Sequence, residues 1–219
     1  MIRKIVKFNA MRILELLCNP RPASFNHALA ARIRSRLGEA GHEVLFHDLC
    51  EEGFDPVMSA EELGRGISLD PVVQRYYREL SEAEGLILLH PDWWGGPPAV
   101  LKGWIDRVFR QGIVYDLAGE DFTRKAMSPL LGGMPSLVLC TTDDAEPEAA
   151  LHLERLWSTR VLGPCGAKVD CRVLPNIRAT TPADRAAWFE LVDARLESLF
   201  PAAVPRRSGP RAQPSLPIA

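Results

Sequence analysis

The chain has 219 residues, of which 47% are hydrophobic and 25% charged, and its formal net charge is −2. This balance is ordinary for a soluble globular protein and gives no field that would draw nucleic acid or an anionic membrane surface. No apolar run reaches the roughly eighteen residues that a membrane span needs, and the length predicts one domain with a substantial core.

Residues 1–10 are basic and lack the apolar stretch of a signal peptide, so they read as an N-terminal extension, with Met11 an alternative start. Residues 11–200 carry the domain. Residues 201–219 are rich in Pro, Arg and Ser and read as a disordered tail. The five cysteines form no C-x-x-C pair and leave one over in any disulfide scheme, which predicts reduced thiols and a cytoplasmic protein.

In chain order, Arg12 to Cys18 reads as a first strand interrupted by Glu15, followed by a turn at Asn19–Ser24. A helix follows with Phe25, Leu29, Ile33 and Leu37 on one face, Ser24 as its N-cap and Gly41 as its stop. Glu43 to Asp48 is a second strand, 55–66 a surface excursion and 71–83 a helix. The apolar run Leu86–Leu89 is a buried strand that stops at His90-Pro91, before the turn-rich loop Asp92–Pro98. The next helix has Val100, Leu101, Trp104, Ile105, Val108 and Phe109 on its apolar face, with Lys102, Asp106, Arg107 and Arg110 on its wet side. Residues 117–134 read as irregular. A fourth strand at 136–141 leads into Thr142-Asp143-Asp144, then come a helix at 146–162, a fifth strand at 167–174 and a closing helix at 182–200. Strands alternating with helices predict an α/β fold with a doubly wound, five-stranded parallel sheet, and five strands favour the order 2-1-3-4-5. A ligand crevice then opens at the switch point between strands one and three, where Asn19–Phe25 and Pro91–Pro98 meet.

Those loops carry the chemistry-bearing residues. A helix starting at Ser24-Phe25-Asn26 presents free N–H groups and a positive dipole end, which suits a phosphate, although Ser24 as a simple cap explains the same residue. Trp93 and Trp94 are adjacent, so they either plug the core or turn at least one ring towards a groove. There is no G-x-x-x-x-G-K-[ST], G-x-G-x-x-G or G-x-S-x-G pattern. His27, His42, His47 and His90 show no metal-ligand spacing with the cysteines, so no metal is expected, and His90 reads as structural.

The segment HPDWWGGPPAVLKGWIDRVF, from His90 to Phe109, resembles the signature segment of the NAD(P)H:quinone oxidoreductases, the DT-diaphorase-like flavodoxin-fold flavoproteins. Asn-Pro-x-x-x-Ser-Phe-Asn, from Asn19 to Asn26, is similar to that family's flavin-phosphate loop. The resemblance implies a flavodoxin-like fold in which Ser24, Phe25 and Asn26 hold the cofactor phosphate, with Asn19 where the family commonly has histidine. It places Pro91, Asp92, Trp93 and Trp94 along the flavin ring and Thr141, Thr142 and Asp143 at its edge. The family usually ends that third loop in two glycines; here Asp143-Asp144 replaces them and either crowds the ring or caps the helix near Pro147, the reading we favour. Tyr115 resembles an aromatic at the active-site mouth, or is a surface-packed tyrosine. The family's proton-transferring Tyr and His have no matching positions, and His152 is not assigned that role. The implied activity is hydride transfer from NADH or NADPH to flavin N5, then two-electron reduction of a quinone or other flat acceptor. FMN is preferred over FAD because nothing marks an adenine pocket, and the resemblance implies a homodimer without membrane insertion. A regulatory flavoprotein ancillary to a membrane transporter and a flavin-free interaction module of the same fold are the other readings.

Overall fold

A computed structural model describes residues 9–117 and 127–204; the N-terminal extension, the tail and the middle of the 117–134 segment lie largely outside these residues. Five strands, β1 (Arg12–Leu17), β2 (Glu43–Asp48), β3 (Gly85–Pro91), β6 (Pro135–Thr141) and β7 (Lys168–Leu174), form one sheet in the order β2-β1-β3-β6-β7. All four pairings are parallel. Between β3 and β6 the chain adds a two-stranded antiparallel pair, β4 (Tyr115–Leu117) with β5 (Met127–Pro129), the second of them within the 117–134 segment expected to be irregular. Counting only the main sheet, the order is the expected 2-1-3-4-5.

Alternate residues of the strands feed two separate cores, as the period-two geometry of a strand requires. Ile13, Leu17, Ile87, Leu89, Leu137 and Leu139 pack against α1 (Phe25–Glu39) and α6 (Pro182–Leu199). Leu14, Leu16, Leu86, Leu88 and Val138 face the other way, onto α3 (Pro71–Glu82), α4 (Ala99–Val108) and the segment after α5 (Pro147–Arg155). Burial on both faces is why β3 reads as an unbroken apolar run rather than an alternating one. Glu15 does not break β1; it stays in the strand, wholly buried.

The helix expected over 146–162 ends at Arg155 and continues as a π-helical turn, Leu156–Val161, and a 3₁₀ turn, Gly163–Cys165. The wider turn brings the Ser158 carbonyl against Gly163, where a Cβ would overlap it, so only glycine fits. No helix among the described residues is long and apolar enough to cross a membrane.

The excursion at 55–66 is built rather than loose. It contains α2 (Ala60–Arg65), whose N-terminus is closed by a capping box: Glu62 N donates to Ser59 Oγ, and Ser59 N donates to Glu62 Oε2. This segment lies over α4 and corrects one expectation. Arg107, placed on the wet face by helical spacing, is only 5% exposed because the excursion covers it. Gly103 explains how the two elements come so close, since a Cβ there would run into the backbone and ring of Pro56. Gly103→Ala is therefore expected to destabilise the fold by about 1–3 kcal/mol through overpacking. A lowered urea midpoint at unchanged slope would show it, whereas an unchanged midpoint would mean the 55–66 segment moves aside freely.

Candidate functional site

Three loops leave the carboxyl ends of β1, β3 and β6, and a fourth joins β7 to α6. Together they enclose a cleft of about 500 Å³, within the size range of small-molecule sites. Each wall has a local reason for its shape.

The β1–α1 loop turns on Ala23, which adopts a left-handed conformation at φ 54°, a costly one for a residue with a Cβ. It delivers Ser24 to the N-cap position of α1, yet the Ser24 side chain makes no capping hydrogen bond. Its Oγ instead lies 2.8 Å from His27 Nδ1. The helix ladder opens with His27 N and Ala28 N donating to Ser24 O, so the Phe25 and Asn26 N–H groups precede the first intrahelical bonds. Asn26 is 2% exposed. Its Oδ1 accepts from Asn19 Nδ2 at 2.9 Å and from Thr141 Oγ1 at 3.0 Å. Its Nδ2 has no partner, a buried donor in the wall of the cleft that a ligand acceptor would satisfy. Phe25 is anchored by Trp188 and Phe189 of α6, ring centroids 5.5 and 5.3 Å away.

The β3–α4 loop is held by Asp92. Its Oδ1 accepts from Gly95 N at 2.9 Å and its Oδ2 from Thr142 Oγ1 at 3.1 Å, tying this loop to the one after β6. Trp93 N donates to Gly96 O, closing a turn in which Trp94 (φ 57°) and Gly95 (φ 80°) are both left-handed. The two tryptophans then part company. Trp93 lines the cleft, whereas Trp94 stands outside it, fully exposed. At the foot of the loop His90 is completely buried, with Nδ1 2.8 Å from Pro91 O and Nε2 unpartnered. Burial pushes its imidazole down to about 4, so it is neutral at working pH.

The acidic pair after β6 divides its work. Asp144 Oδ1 accepts from Glu146 N at 2.9 Å, closing a turn just before α5. Glu146 holds the N-cap position and its side chain makes no cap bond, so the capping of α5 favoured from sequence takes the form of this preceding turn and not of a helix cap. Asp143 points to the β7–α6 loop: Oδ1 accepts from Arg178 N at 3.2 Å and Oδ2 pairs with Arg178 Nε at 2.8 Å. Its charge is thus matched within the protein.

The cleft gathers Asn19, Ser24, Phe25, Asn26, Pro91, Asp92, Trp93, Thr141, Thr142 and Asp143. Tyr115 is not in its lining; it is half-buried in the β4–β5 pair and packs against the core on the α3–α4 face. Sequence reasoning missed Arg21, Ile177, Arg178 and Arg185, which also line the cleft. Arg185 lies with its guanidinium carbon 5.6 Å from the Phe25 ring centroid and donates to Thr180 Oγ1. The signal for these residues was topological: the loop after β7 leaves the same sheet edge as the other three. His152 was also unassigned; its Nε2 lies 2.9 Å from Gly95 O, bracing the tryptophan loop from α5. Among the described residues, no group of three or more His, Cys, Asp and Glu side chains is arranged to hold a metal.

A family model described as flavodoxin-like fold matches residues 11–169, well over half the chain. The chain belongs to the flavodoxin-like fold family. It is 40% identical over 95 residues to an uncharacterized NAD(P)H oxidoreductase of Haemophilus influenzae, covering 42% of this chain and 46% of that one. It is 36% identical over 127 residues to the uncharacterized NAD(P)H oxidoreductase YcaK of Escherichia coli, covering 56% and 65%. The matched segments thus span about half to two thirds of these relatives' own lengths. The NAD(P)H:quinone oxidoreductase of Methanothermobacter marburgensis superposes with a TM-score of 0.71 at 25% identity, covering 86% of this chain and 98% of that one. The resemblance read from the two loop motifs and the flavodoxin-like strand order are both borne out.

Proposed function

We propose that this flavodoxin-like protein is a flavin-dependent NAD(P)H oxidoreductase acting on a quinone or similar flat acceptor, with FMN its cofactor. The observation that carries the reading is the cleft at the switch point, where an α-helix N-terminus and a buried amide donor without a partner meet an aromatic wall. The phosphate end falls at Ser24, Phe25 and Asn26, where N–H groups and the helix dipole favour an anion. Pro91, Asp92 and Trp93 border the ring, and Thr141, Thr142 and Asp143 its far edge. When bound, the flavin accepts hydride from a reduced nicotinamide and passes two electrons to the acceptor. The chain's own residues position the ring and bring positive charge through Arg21 and Arg185, while Arg178 neutralises Asp143. One helix N-terminus at the cleft fits one phosphate, which supports FMN. The match to NAD(P)H oxidoreductases over part of their length supports the donor. A homodimer and a cytoplasmic location complete the proposal; exposed Trp94 supports the first, and unbridged thiols support the second.

The test is the visible absorption spectrum of the purified protein, reconstituted with FMN, before and after anaerobic NADH or NADPH, then after a quinone. Flavin bands that bleach with a nicotinamide and return with the quinone are expected. Bands that never bleach would favour a regulatory flavoprotein, and failure to retain FMN would remove the cofactor reading.

A further inference from the structure

The β1–α1 loop is bordered by two clefts. Besides the main one, a cleft of about 400 Å³ is lined by Asn19, Ala23, His27, Asp48, Cys50 and Glu51 among others. Between them runs a chain of three side chains. Ser24 Oγ lies 2.8 Å from His27 Nδ1, and His27 Nε2 lies 3.0 Å from Asp48 Oδ2. Asp48 is 5% exposed, and its other oxygen accepts from Cys50 N at 3.0 Å and Glu51 N at 3.2 Å. One oxygen of this carboxylate is thus taken by two backbone donors, and the other faces the imidazole as a hydrogen-bond acceptor.

That acceptor fixes the imidazole tautomer, because Nε2 must carry the proton that Asp48 receives. In neutral His27 the lone pair of Nδ1 therefore faces Ser24, and the Ser24 hydroxyl donates to it. The hydroxyl hydrogen is then spent inward, and its oxygen lone pairs face the cleft. An anion at Ser24 would meet those lone pairs. Protonating His27 reverses the bond: Nδ1–H donates to Ser24 Oγ, and the hydroxyl hydrogen is released to the anion.

We propose that Ser24, His27 and Asp48 form a proton-coupled phosphate clamp, in which a phosphate monoester in the main cleft binds together with one proton taken from solvent onto His27 Nδ1. This rests on the reading of that cleft as a flavin site. His27 acts through Ser24 as a positioning residue and is reached by protons from its own side, where it is partly exposed in the second cleft. The titratable and charged groups that share that cleft with it are Asp48 from the end of β2 and Cys50 and Glu51 from the turn that follows; Arg21 faces the main cleft from the β1–α1 loop. The arrangement confers selectivity as well as pH response, since a ligand without the phosphate has nothing for the released hydroxyl to bond.

The experiment titrates FMN and riboflavin into apoprotein by flavin fluorescence between about pH 7 and about pH 9, where a phosphate monoester keeps its second charge. For wild type, FMN affinity is expected to fall with rising pH, by at most about tenfold per pH unit for one linked proton, while riboflavin affinity stays flat. His27→Gln is expected to bind FMN about tenfold more weakly at pH 7, the scale of one hydrogen bond to a charged group, and to lose the slope. It should leave riboflavin affinity unchanged. Ser24→Ala, which removes the hydroxyl but keeps His27, is expected to lose the slope too. A slope that survives in His27→Gln, or an equal loss for riboflavin and FMN, overturns the clamp. Wild-type protein that binds riboflavin but shows no preference for FMN overturns it as well, with the flavin reading intact. Wild type that binds neither flavin removes both.

Discussion

Arg107→Ala is expected to cost about 3 kcal/mol of folding stability or more, the scale for stripping one partner from a buried ion pair. The guanidinium is 5% exposed and serves four contacts at once. Nη2 lies 2.6 Å from Glu62 Oε1 and 3.0 Å from Asp70 Oδ2, Nη1 donates to Asp55 O at 2.7 Å, and the group sits 5.7 Å from the Phe54 ring centroid. Its hydrogen bond is the main reason the Glu62 carboxyl is held down at about 2. Truncation leaves Glu62, itself mostly covered, without its counter-charge, and unfastens the 55–70 segment from α4, the helix that follows the tryptophan loop. Arg107→Lys should restore little, because one ammonium cannot reproduce the planar fork across three acceptors. The comparison is Arg65→Ala, which breaks an exposed i,i+4 pair with Glu61 and should cost less than about 0.5 kcal/mol. Equal shifts in the urea midpoint for the two variants would contradict the anchoring role of Arg107.

Glu15→Gln should change how stability depends on pH. Glu15 is wholly buried in β1, with neither carboxyl oxygen hydrogen-bonded, and its nearest cation, Arg34 Nη1, is 3.9 Å away. The Arg34 guanidinium itself stacks 3.8 Å from the Phe46 ring centroid. Burial raises the Glu15 carboxyl from 4.5 to about 8, against a smaller opposing pull from Arg34. The folded protein therefore holds a proton that the unfolded chain has lost over that interval. Stability from this group is complete below about 4.5 and is lost as pH rises through about 8.

His90 works in the opposite sense. Its folded value near 4 lies below 6.5, so its neutral burial costs stability as pH falls through that range. The two contributions offset each other between about pH 4.5 and 6.5. Above 6.5 only Glu15 remains, so wild-type stability should fall by up to about 1.4 kcal/mol per pH unit until about pH 8. In Glu15→Gln, which cannot ionise, that slope should vanish. Urea unfolding at several pH values across this window decides the matter: parallel curves for wild type and variant would mean Glu15 is not the group being titrated.

What the chain alone determined was whatever depends on local pattern. The apolar run at Leu86–Leu89, the helical spacing from Phe25 to Leu37 and the Pro at the start of later helices set the element order, and the alternation of strand and helix set a parallel, doubly wound sheet. The two loops at the switch point were legible because fixed turn residues and a helix start must sit there in sequence. Tertiary structure decided what depends on distant segments. Helical spacing put Arg107 in water, but a separate segment folds over it, with Gly103 the small position that lets Pro56 approach. Adjacent positions could not say which of Trp93 and Trp94 faces the cleft; consecutive left-handed residues at Trp94 and Gly95 turned one ring in and the other out. Arg178 and Arg185 joined the site only because β7 lies beside β6, far along the chain from the motifs. Ser24 was a cap by its local pattern; His27 and Asp48, brought together by the pairing of β1 with β2, gave its hydroxyl another partner.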